Sequence, residues 1–398
     1  MRPAPSTRPG AADPRALRGP AGVITALLLS LLLLLTACGD QGGAAGSSAS
    51  GGGGADSEQY AASLEKAATA LKQNAVDDPK SITGSTEAAS VPDVEPISDP
   101  SQPKLPVTVK DRQGTEVTVT DTSRILALDL YGTLAQTVEA LGQGDKLVGR
   151  VTSSTEESLK DLPLVTENGH DLNAEAIMKT APTVVLMDTT NGPTEITEQL
   201  RSAGITVVHF SPDRRMDLID GQIQKVADAL GVPEDGKRLG ERVQKDLDHA
   251  IQTIRDVAPG EDGKKLSMAF LYVRGNAGVF FILGKGSGAD DLITSLSGID
   301  AATEKGVEDI VPATSEALVK LNPDLILAMS KGIESTGGID GFLARPGVGE
   351  TTAGKNRRVV SMADGQILSF GPNTPAVLLS LAQAVYAPDA VAGDGASS

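Results

Sequence analysis

Sulfur, histidine and aromatic side chains are scarce in this chain. The single cysteine among 398 residues has no partner within the chain, which excludes an intramolecular disulfide. Tryptophan is absent, and six Phe and four Tyr leave few aromatic side chains that could contact a ligand. The three histidines, His170, His209 and His249, do not have the spacing of a zinc or manganese site. The motifs Gly-x-Ser-x-Gly and His-Glu-x-x-His are missing, so the sequence shows no sign of a serine hydrolase or a zinc metalloprotease.

Positive charge is also in short supply. Lys and Arg number 35 against 52 Asp and Glu, which gives a formal net charge of −17 at pH 7. An acidic balance of this size argues against a nucleic-acid partner, because the phosphate backbone attracts basic surfaces. It argues equally against electrostatic docking on anionic lipid. Any attachment to a membrane must therefore come from another source.

The first 37 residues have the pattern of an export signal. Arginines precede a leucine-rich, uncharged run from Val23 to Leu35, which is shorter than the roughly 20 residues that span a bilayer. The junction Leu35-Thr-Ala-Cys38 resembles a bacterial lipobox, whose cysteine is lipidated and becomes the first residue of the mature chain. The resemblance implies a lipid anchor at Cys38 on the extracytoplasmic face of the cell membrane. The alternative is an ordinary secretory signal with a chance cysteine.

The rest of the chain divides by composition and by the periodicity of its apolar residues. Residues 38–104 begin with a Gly-, Ala- and Ser-rich stretch and are predicted to form a flexible linker, with a short, loosely docked helix over 57–72. Strands and helices alternate over 105–228 and again over 259–390, which predicts an α/β protein with two lobes and parallel, doubly wound sheets. Residues 391–398 are predicted to be a tail.

A long helix is predicted between the lobes, over 229–258. Pro233 can occupy its first turn, and apolar residues follow at spacings of three and four. These residues are Leu239, Val243, Leu247, Ile251 and Ile254. At 1.5 Å per residue, a helix of about 25 residues is roughly 37 Å long, which is enough to bridge two lobes.

Several predicted strands end in loops that could contact a ligand. In open α/β sheets, ligands bind at the carboxyl ends of the strands, and between two lobes those ends line a cleft. The chief loops are Asp129-Leu-Tyr131-Gly132, Gly169-His170-Asp171, Tyr272-Val-Arg274-Gly275, Gly284-Lys285-Gly-Ser-Gly288 and Gly371-Pro-Asn373.

The order of these segments resembles a known class of transport proteins. The residues that carry the resemblance are Arg124-Ile-Leu126, Ala140-Leu-Gly-Gln-Gly-Asp-Lys-Leu-Val-Gly149 and Ser315-Glu-Ala-Leu-Val-Lys-Leu-Asn-Pro-Asp-Leu-Ile-Leu327. They are similar to class III substrate-binding proteins, which feed iron-complex, haem and cobalamin ABC importers. The resemblance covers residues 105–388 and implies two Rossmann-like lobes joined by a long interdomain helix.

A narrower resemblance, to actinobacterial haemin-binding lipoproteins, implies haem as the ligand. It is carried by Asn168-Gly-His170-Asp-Leu-Asn-Ala-Glu175, by Tyr272-Val-Arg-Gly275 and by Gly284-Lys-Gly-Ser-Gly-Ala-Asp290. In such proteins a His from one lobe and a Tyr from the other bind the iron axially, and an Arg two residues after the Tyr supports it. The matching residues are His170, Tyr272 and Arg274.

The chemistry of these three residues is consistent with haem. Imidazole and phenolate are both established ligands of haem iron. Because residues i and i+2 of a strand share a face, Arg274 is expected to donate a hydrogen bond to the Tyr272 oxygen and to favour its ionised form. Simpler roles stay open, since Tyr272 could be a packing residue and His170 a polar loop residue. Tyr131, on a cleft loop, and Lys285, a cation for a haem propionate, are further candidate contacts.

The resemblance also implies docking to a permease through one glutamate per lobe. Glu316 matches the position in the second lobe, whereas the position in the first lobe falls on Gln136. Glu139, three residues further on the same helical face, is the candidate substitute. Asn373 stands where a cation for a propionate is expected, which is a second departure from the pattern.

The favoured hypothesis is a monomeric haem-binding lipoprotein, not an enzyme, that delivers haem to an ABC importer permease. A receptor for a ferric siderophore or for cobalamin is the alternative within the same class. An exported enzyme is the remote alternative, and a haem-relay surface protein is also left open.

Overall fold

The computed structural model describes residues 53–167, 171–192, 195–261, 263–275 and 278–394. The predicted signal peptide and Cys38 lie outside this part of the chain. The α-helices are α1 Gly53–Asn74, α2 Thr133–Ala140, α3 Ala174–Lys179, α4 Glu195–Ser202, α5 Ile219–Ala229, α6 Pro233–Val257, α7 Ala289–Ser295, α8 Ala301–Glu304, α9 Ser315–Leu321, α10 Ser330–Glu334, α11 Gly338–Leu343, α12 Thr352–Lys355, α13 Asp364–Ile367, α14 Thr374–Tyr386 and α15 Pro388–Asp394. The strands are β1 Thr86–Glu87, β2 Val107–Lys110, β3 Glu116–Val119, β4 Ile125–Leu128, β5 Thr166–Glu167, β6 Asp171–Leu172, β7 Val184–Met187, β8 Thr206–His209, β9 Ser267–Arg274, β10 Val279–Leu283, β11 Ile299–Asp300, β12 Ile310–Pro312, β13 Leu325–Met329 and β14 Val359–Met362.

The first lobe is built on a parallel sheet with the strand order β4-β7-β8. Every residue of β4 and β7 is buried, as expected for parallel strands that are covered on both faces. Strands β2 and β3 form an antiparallel hairpin, with Val107 opposite Val119. Leu147 adds one bridge to Ile125 of β4.

The second lobe is built on a mixed sheet with the order β1-β14-β13-β9-β10-β12, and β11 also pairs with β9. The strands β9, β13 and β14 are parallel, and β10 pairs with β9 as an antiparallel hairpin partner. The α/β architecture in two lobes is therefore confirmed, although the second sheet is not purely parallel.

Helix α6, Pro233–Val257, joins the lobes and lies within the predicted range 229–258. It runs for 25 residues and carries a proline in its first turn together with the acidic residues Glu234 and Asp235. A proline there loses no intrahelical hydrogen bond, and the acids interact favourably with the positive end of the helix dipole. Helices α5, α14 and α1 pack against α6.

The helix predicted over 57–72 is present as α1, but residues 75–104 bind the body instead of forming the predicted linker. Helix α1 packs on α6 and α14 and buries Tyr60, Leu64 and Leu71. After it, β1 adds to the edge of the second-lobe sheet, with Thr86 opposite Val360. Residues 88–104, here called the strap, then run on to the first lobe, where the Ile97 amide donates to Ala140 O over 2.9 Å.

Side chains of the body bind the backbone of the strap. In the second lobe, the side chain of Gln366 bonds both backbone groups of Val91. On α6, Arg238 donates to Ser98 O and Asp99 O over 3.1 and 3.2 Å, and Asp235 accepts from the Ser101 amide over 2.6 Å. These side chains bind the polar backbone groups of the strap, which forms neither a helix nor a strand. The strap therefore has no periodic apolar pattern by which its sequence could reveal it.

The predicted tail is partly helical, because α15 continues to Asp394. Pro388 is tolerated in the first turn of this helix, and α15 packs against α14 and α1. Among the described residues, no helix is both long enough and apolar enough to cross a membrane.

Candidate functional site

The carboxyl edge of the second-lobe sheet holds Tyr272 and Arg274. Strand β9 extends past its parallel neighbour, since the last pairing with β13 is Leu271 with Ala328. Arg274 Nη2 lies 2.6 Å from Asp364 Oδ2, just beyond β14, and 3.1 Å from Met329 Sδ at the end of β13. Three neighbouring strands therefore place a tyrosine, an arginine and a carboxylate together at one edge.

Arg274 contacts the ring of Tyr272 rather than its oxygen. The guanidinium carbon lies 4.7 Å from the ring centroid, a cation–π arrangement. The expected hydrogen bond to the phenol oxygen is not formed, because the ion pair with Asp364 holds the guanidinium over the ring face. Arg274 still places a positive charge beside the phenol.

The carboxyl edge of the first-lobe sheet holds a buried charge cluster that the sequence analysis missed. Asp129 follows β4, Asp188 follows β7, and Arg214 lies in the loop after β8. Arg214 Nη2 lies 3.3 Å from Asp129 Oδ2 and 3.0 Å from Asp188 Oδ2. Burial and the neighbouring Asp129 raise the pKa of Asp188 to about 6. The sequence signal that could have revealed this cluster is a charged residue that follows each of three adjacent parallel strands.

Tyr131 lies on this cluster and close to the opposite lobe. The Arg214 guanidinium carbon lies 5.1 Å from the centroid of its ring. Burial raises the pKa of the Tyr131 phenol, and a negative charge on Tyr272 raises it further. Tyr272 of the second lobe is thus close enough to affect the pKa of Tyr131 in the first.

Hydrogen bonds between the lobes hold the two edges opposite each other. Gln136 Nε2 donates to Gly365 O over 3.5 Å, and the Met216 amide donates to Asp291 Oδ2 over 2.5 Å. The Thr133 hydroxyl donates to the carbonyl of Ser369.

His170 falls on residues 168–170, outside the described part of the chain. The flanking strands β5 and β6 pair antiparallel, with Glu167 opposite Asp171. His209 is a core residue, 4% exposed, with Nε2 3.2 Å from Thr197 Oγ1, and burial lowers its pKa. His249 forms a half-exposed pair with Glu65 of α1.

The glycine loop 284–288 offers fewer anion contacts than its sequence suggests. The Lys285 side chain is exposed. The amides of Gly286 and Gly288 donate to the two carboxylate oxygens of Asp290, over 3.0 and 3.2 Å. Gly288 adopts a φ of +91°, and a Cβ there would lie 3.0 Å from Arg214 O, so this close approach of the lobes needs glycine.

Asn373 binds the strap and α1 instead of facing a ligand. It is 4% exposed, donates to Pro92 O over 2.7 Å and accepts from the Tyr60 hydroxyl over 3.3 Å. A cation at this position would be buried against carbonyl and phenol oxygens. The absence of the expected cation is therefore explained by the strap.

The two docking candidates differ in accessibility. Glu316 is exposed in the first turn of α9. Gln136 is buried at the contact between the lobes, and Glu139 is 8% exposed with its carboxylate accepting from Ser158. Burial raises the pKa of Glu139 to about 6. The burial of its carboxylate does not favour Glu139 as the docking residue of the first lobe.

The neighbouring Glu156 leads to a prediction about stability and pH. Burial, and secondarily the charge of Glu139, raise the pKa of Glu156 to about 7. When folding raises the pKa of an acid, ionisation of that acid destabilises the folded state. The destabilisation begins as the pH rises above the pKa of the unfolded state, and it is complete above the pKa of the folded state. Glu156→Gln should therefore raise the free energy of unfolding by about 2 kcal/mol at pH 8 and by much less at pH 5.

Urea unfolding at the two pH values measures this difference. The adjacent, exposed Glu157 provides a matched control, because Glu157→Gln removes a carboxylate that is 77% exposed. An equal gain for Glu156→Gln at both pH values would show that the Glu156 carboxyl is not protonated on folding.

Within the described ranges, no group of three His, Cys, Asp or Glu residues could hold a metal ion.

The sequence and structure are similar to proteins that bind small ligands for transport. Residues 129–364 match the sequence profile of the family described as Periplasmic binding protein. The chain is 25% identical over 292 residues to the uncharacterized ABC transporter substrate-binding lipoprotein YvrC of Bacillus subtilis (strain 168). That match covers 72% of this chain and 87% of the relative.

Solved structures extend the likeness. The crystal structure of heme binding protein HmuT is 46% identical, with a TM-score of 0.75, and the match covers 78% of this chain and 99% of that one. Periplasmic heme-binding protein RhuT from Roseiflexus sp. RS-1, in apo form, is 33% identical with a TM-score of 0.61, over 68% and 100% of the two chains. HmuT has also been solved with a tyrosine, an arginine or a histidine replaced by alanine. Since the profile covers more than half of its length and HmuT matches most of it, this chain belongs to the periplasmic binding protein family.

Proposed function

We propose that this protein is the haem-binding component of an ABC importer, which captures haem between its lobes and delivers it to the permease. The observation that carries the proposal is the placement of Tyr272 and Arg274, two positions apart, at the carboxyl edge of the second lobe. In HmuT, the tyrosine and the arginine that were replaced are also two positions apart, and the replaced histidine precedes them. His170 precedes Tyr272 in the same order here.

Tyr272 supplies a phenolate to the ferric iron, and His170 supplies the second axial ligand. A free tyrosine ionises near pH 10, so the phenolate needs support at neutral pH. The ferric ion itself supplies that support, and the Arg274 guanidinium lies 4.7 Å from the ring centroid as a neighbouring positive charge. Asp364 fixes the guanidinium in place through the 2.6 Å ion pair.

The contacts between the lobes favour a flat ligand. The Thr133–Ser369 and Gln136–Gly365 hydrogen bonds limit how far the two edges can separate near α2. A porphyrin held between facing edges needs little width, whereas a bulky ferric siderophore needs more.

Delivery is assigned to exposed groups away from this cleft. Glu316 of α9 is the carboxylate that meets the permease from the second lobe. The protein binds and releases haem without changing it, so no covalent step is assigned to these residues. A lipid anchor at Cys38 keeps the protein on the outer face of the membrane.

A haemin titration tests the proposal. The mature chain is made with Cys38→Ser so that it stays in solution, and visible spectra are recorded during the addition of haemin. We expect saturation at one haemin per chain, with a shifted Soret band and the charge-transfer band of a ferric phenolate. Cobalamin and a ferric siderophore serve as controls and should not saturate. An unchanged Soret band at micromolar haemin would refute the proposed function.

A further inference from the structure

The two lobes present the same kind of unit at their facing edges. In the second lobe, Arg274 lies over the ring of Tyr272 and pairs with Asp364. In the first lobe, Arg214 lies over the ring of Tyr131 and pairs with two carboxylates, Asp129 and Asp188 (the distances are given above). Each unit is a tyrosine stacked on an arginine that carboxylates hold in place.

The charge of the two units differs. The second-lobe unit has one carboxylate for one guanidinium. The first-lobe unit has two carboxylates for one guanidinium, and its charged groups are nearly fully buried, with Arg214 7% and Asp188 1% exposed. Burial raises the pKa of the Tyr131 phenol. The Tyr131 ring, held over a buried guanidinium, is therefore an aromatic surface for the ligand, and Tyr272 is the proposed iron ligand.

Arg214 is also unsuited to bind a propionate directly. Its Nη2 is shared by Asp129 and Asp188, and its Nη1 donates to Asp213 O over 3.3 Å. An added anion would meet two carboxylates rather than a free cation. The free face of the guanidinium is the one that contacts the Tyr131 ring.

Stability alone does not account for this cluster. Buried ion pairs cost desolvation, and well-packed apolar replacements are often as stable or more stable. The cluster lies at a contact between the lobes, since a Cβ on Gly288 of the second lobe would lie 3.0 Å from Arg214 O. A rigid guanidinium at this place fixes the height and tilt of the ring above it.

We infer that Arg214 is a positioning residue of the haem site: clamped by Asp129 and Asp188, it holds the neutral Tyr131 ring against one side of the porphyrin, opposite Tyr272. This inference rests on the proposed function. On this inference, haem is retained by the axial ligands and also by a stack of the Arg214 guanidinium, the Tyr131 ring and the porphyrin.

Haem dissociation measures the contribution of the stack. The haem-loaded mature chain is mixed with excess apomyoglobin, and the rate of transfer is followed in the visible spectrum. Tyr131→Ala is expected to release haem about tenfold faster, because an aromatic contact is lost. Tyr131→Phe keeps the ring and should release haem more slowly than Tyr131→Ala. Arg214→Lys keeps the charge but loses the flat support, so its rate should approach that of Tyr131→Ala.

The double variant separates positioning from general destabilisation. If Arg214 acts through Tyr131, adding Arg214→Lys to Tyr131→Ala leaves the dissociation rate unchanged. Arg358 is the matched control, since it is 1% exposed and donates to Ala384 O and Val385 O over 2.8 and 2.7 Å. Arg358→Lys should lower the melting temperature without changing the dissociation rate.

Three results would overturn the inference. The first is an unchanged rate for Arg214→Lys in a protein that binds haem. The second is multiplication of the two single effects in the double variant. The third, which needs no change at Arg214, is equal rates for Tyr131→Ala and Tyr131→Phe. A parent protein that binds no haemin would instead refute the proposed function itself.

Discussion

Replacing Tyr272 with alanine is expected to abolish the ferric phenolate band and to weaken haemin binding more than about a hundredfold. The change removes an iron ligand, so the loss should exceed the 10–100-fold that is typical for groups that merely support a ligand. Arg274 cannot replace the phenolate, because the guanidinium has no acceptor atom, and the Asp364 carboxylate is engaged in the ion pair with Arg274. The measurement is a haemin titration of the mature Cys38→Ser chain, with the visible spectrum as the readout.

Two further variants separate ligation from packing. Tyr272→Phe keeps the half-buried ring and its contact with Arg274 but removes the oxygen, and it should lose the phenolate band as completely as alanine does. Phe281 lies opposite Tyr272 on β10, so Phe281→Leu disturbs the same part of the sheet without touching the phenol. That variant should keep the band. A phenolate band that survives in Tyr272→Phe would assign the iron to another residue.

Cys38→Ser is expected to move the protein from the membrane fraction to the soluble fraction almost completely. Each buried methylene of an acyl chain contributes about 0.8 kcal/mol, so the loss of more than one chain removes the whole anchor. The net charge of −17 offers no electrostatic substitute on anionic lipid. Expression in a bacterium, separation of membranes by centrifugation and detection by immunoblot measure the distribution.

A control for this experiment lies in the same Gly- and Ser-rich stretch. Ser48→Ala should leave the protein with the membranes. Incorporation of labelled fatty acid should be lost in Cys38→Ser and kept in Ser48→Ala. A Cys38→Ser protein that still sediments with the membranes would contradict the anchor at this position.

Regular elements could be predicted where apolar residues repeat with a clear period. The interlobe helix was predicted to within four residues of its start and one of its end, because Pro233 and the spacing of three and four leave little choice. Strands β4 and β7 were equally clear, since each is a short buried apolar run. The carboxyl edges of the two sheets, and with them Tyr131, Tyr272 and Arg274, followed from this alternation of strands and helices.

Elements held by side chains were missed. The strap is fixed by Gln366, Asp235 and Arg238, which are distant in sequence and show no pattern within residues 88–104. Arg214 lies in the run Ser211-Pro-Asp-Arg214-Arg, whose composition is typical of an exposed loop. Its burial depends on Asp129 and Asp188, two positions that only the folded sheet brings together. Burial of Glu139 was missed for the same reason, because the strap and Ser158 lie beside it.

The packing of α1 on α14 has a consequence for the order of folding. Tyr60 bonds Asn373 across 313 positions of the chain, and the Val76 amide donates to Tyr386 O over 2.9 Å. In the proposed export from the amino end, α1 and the strap would cross the membrane before their partners do. Contacts between segments so far apart in sequence must wait for both segments. The proposed export would therefore delay closure of the body until α14 has crossed.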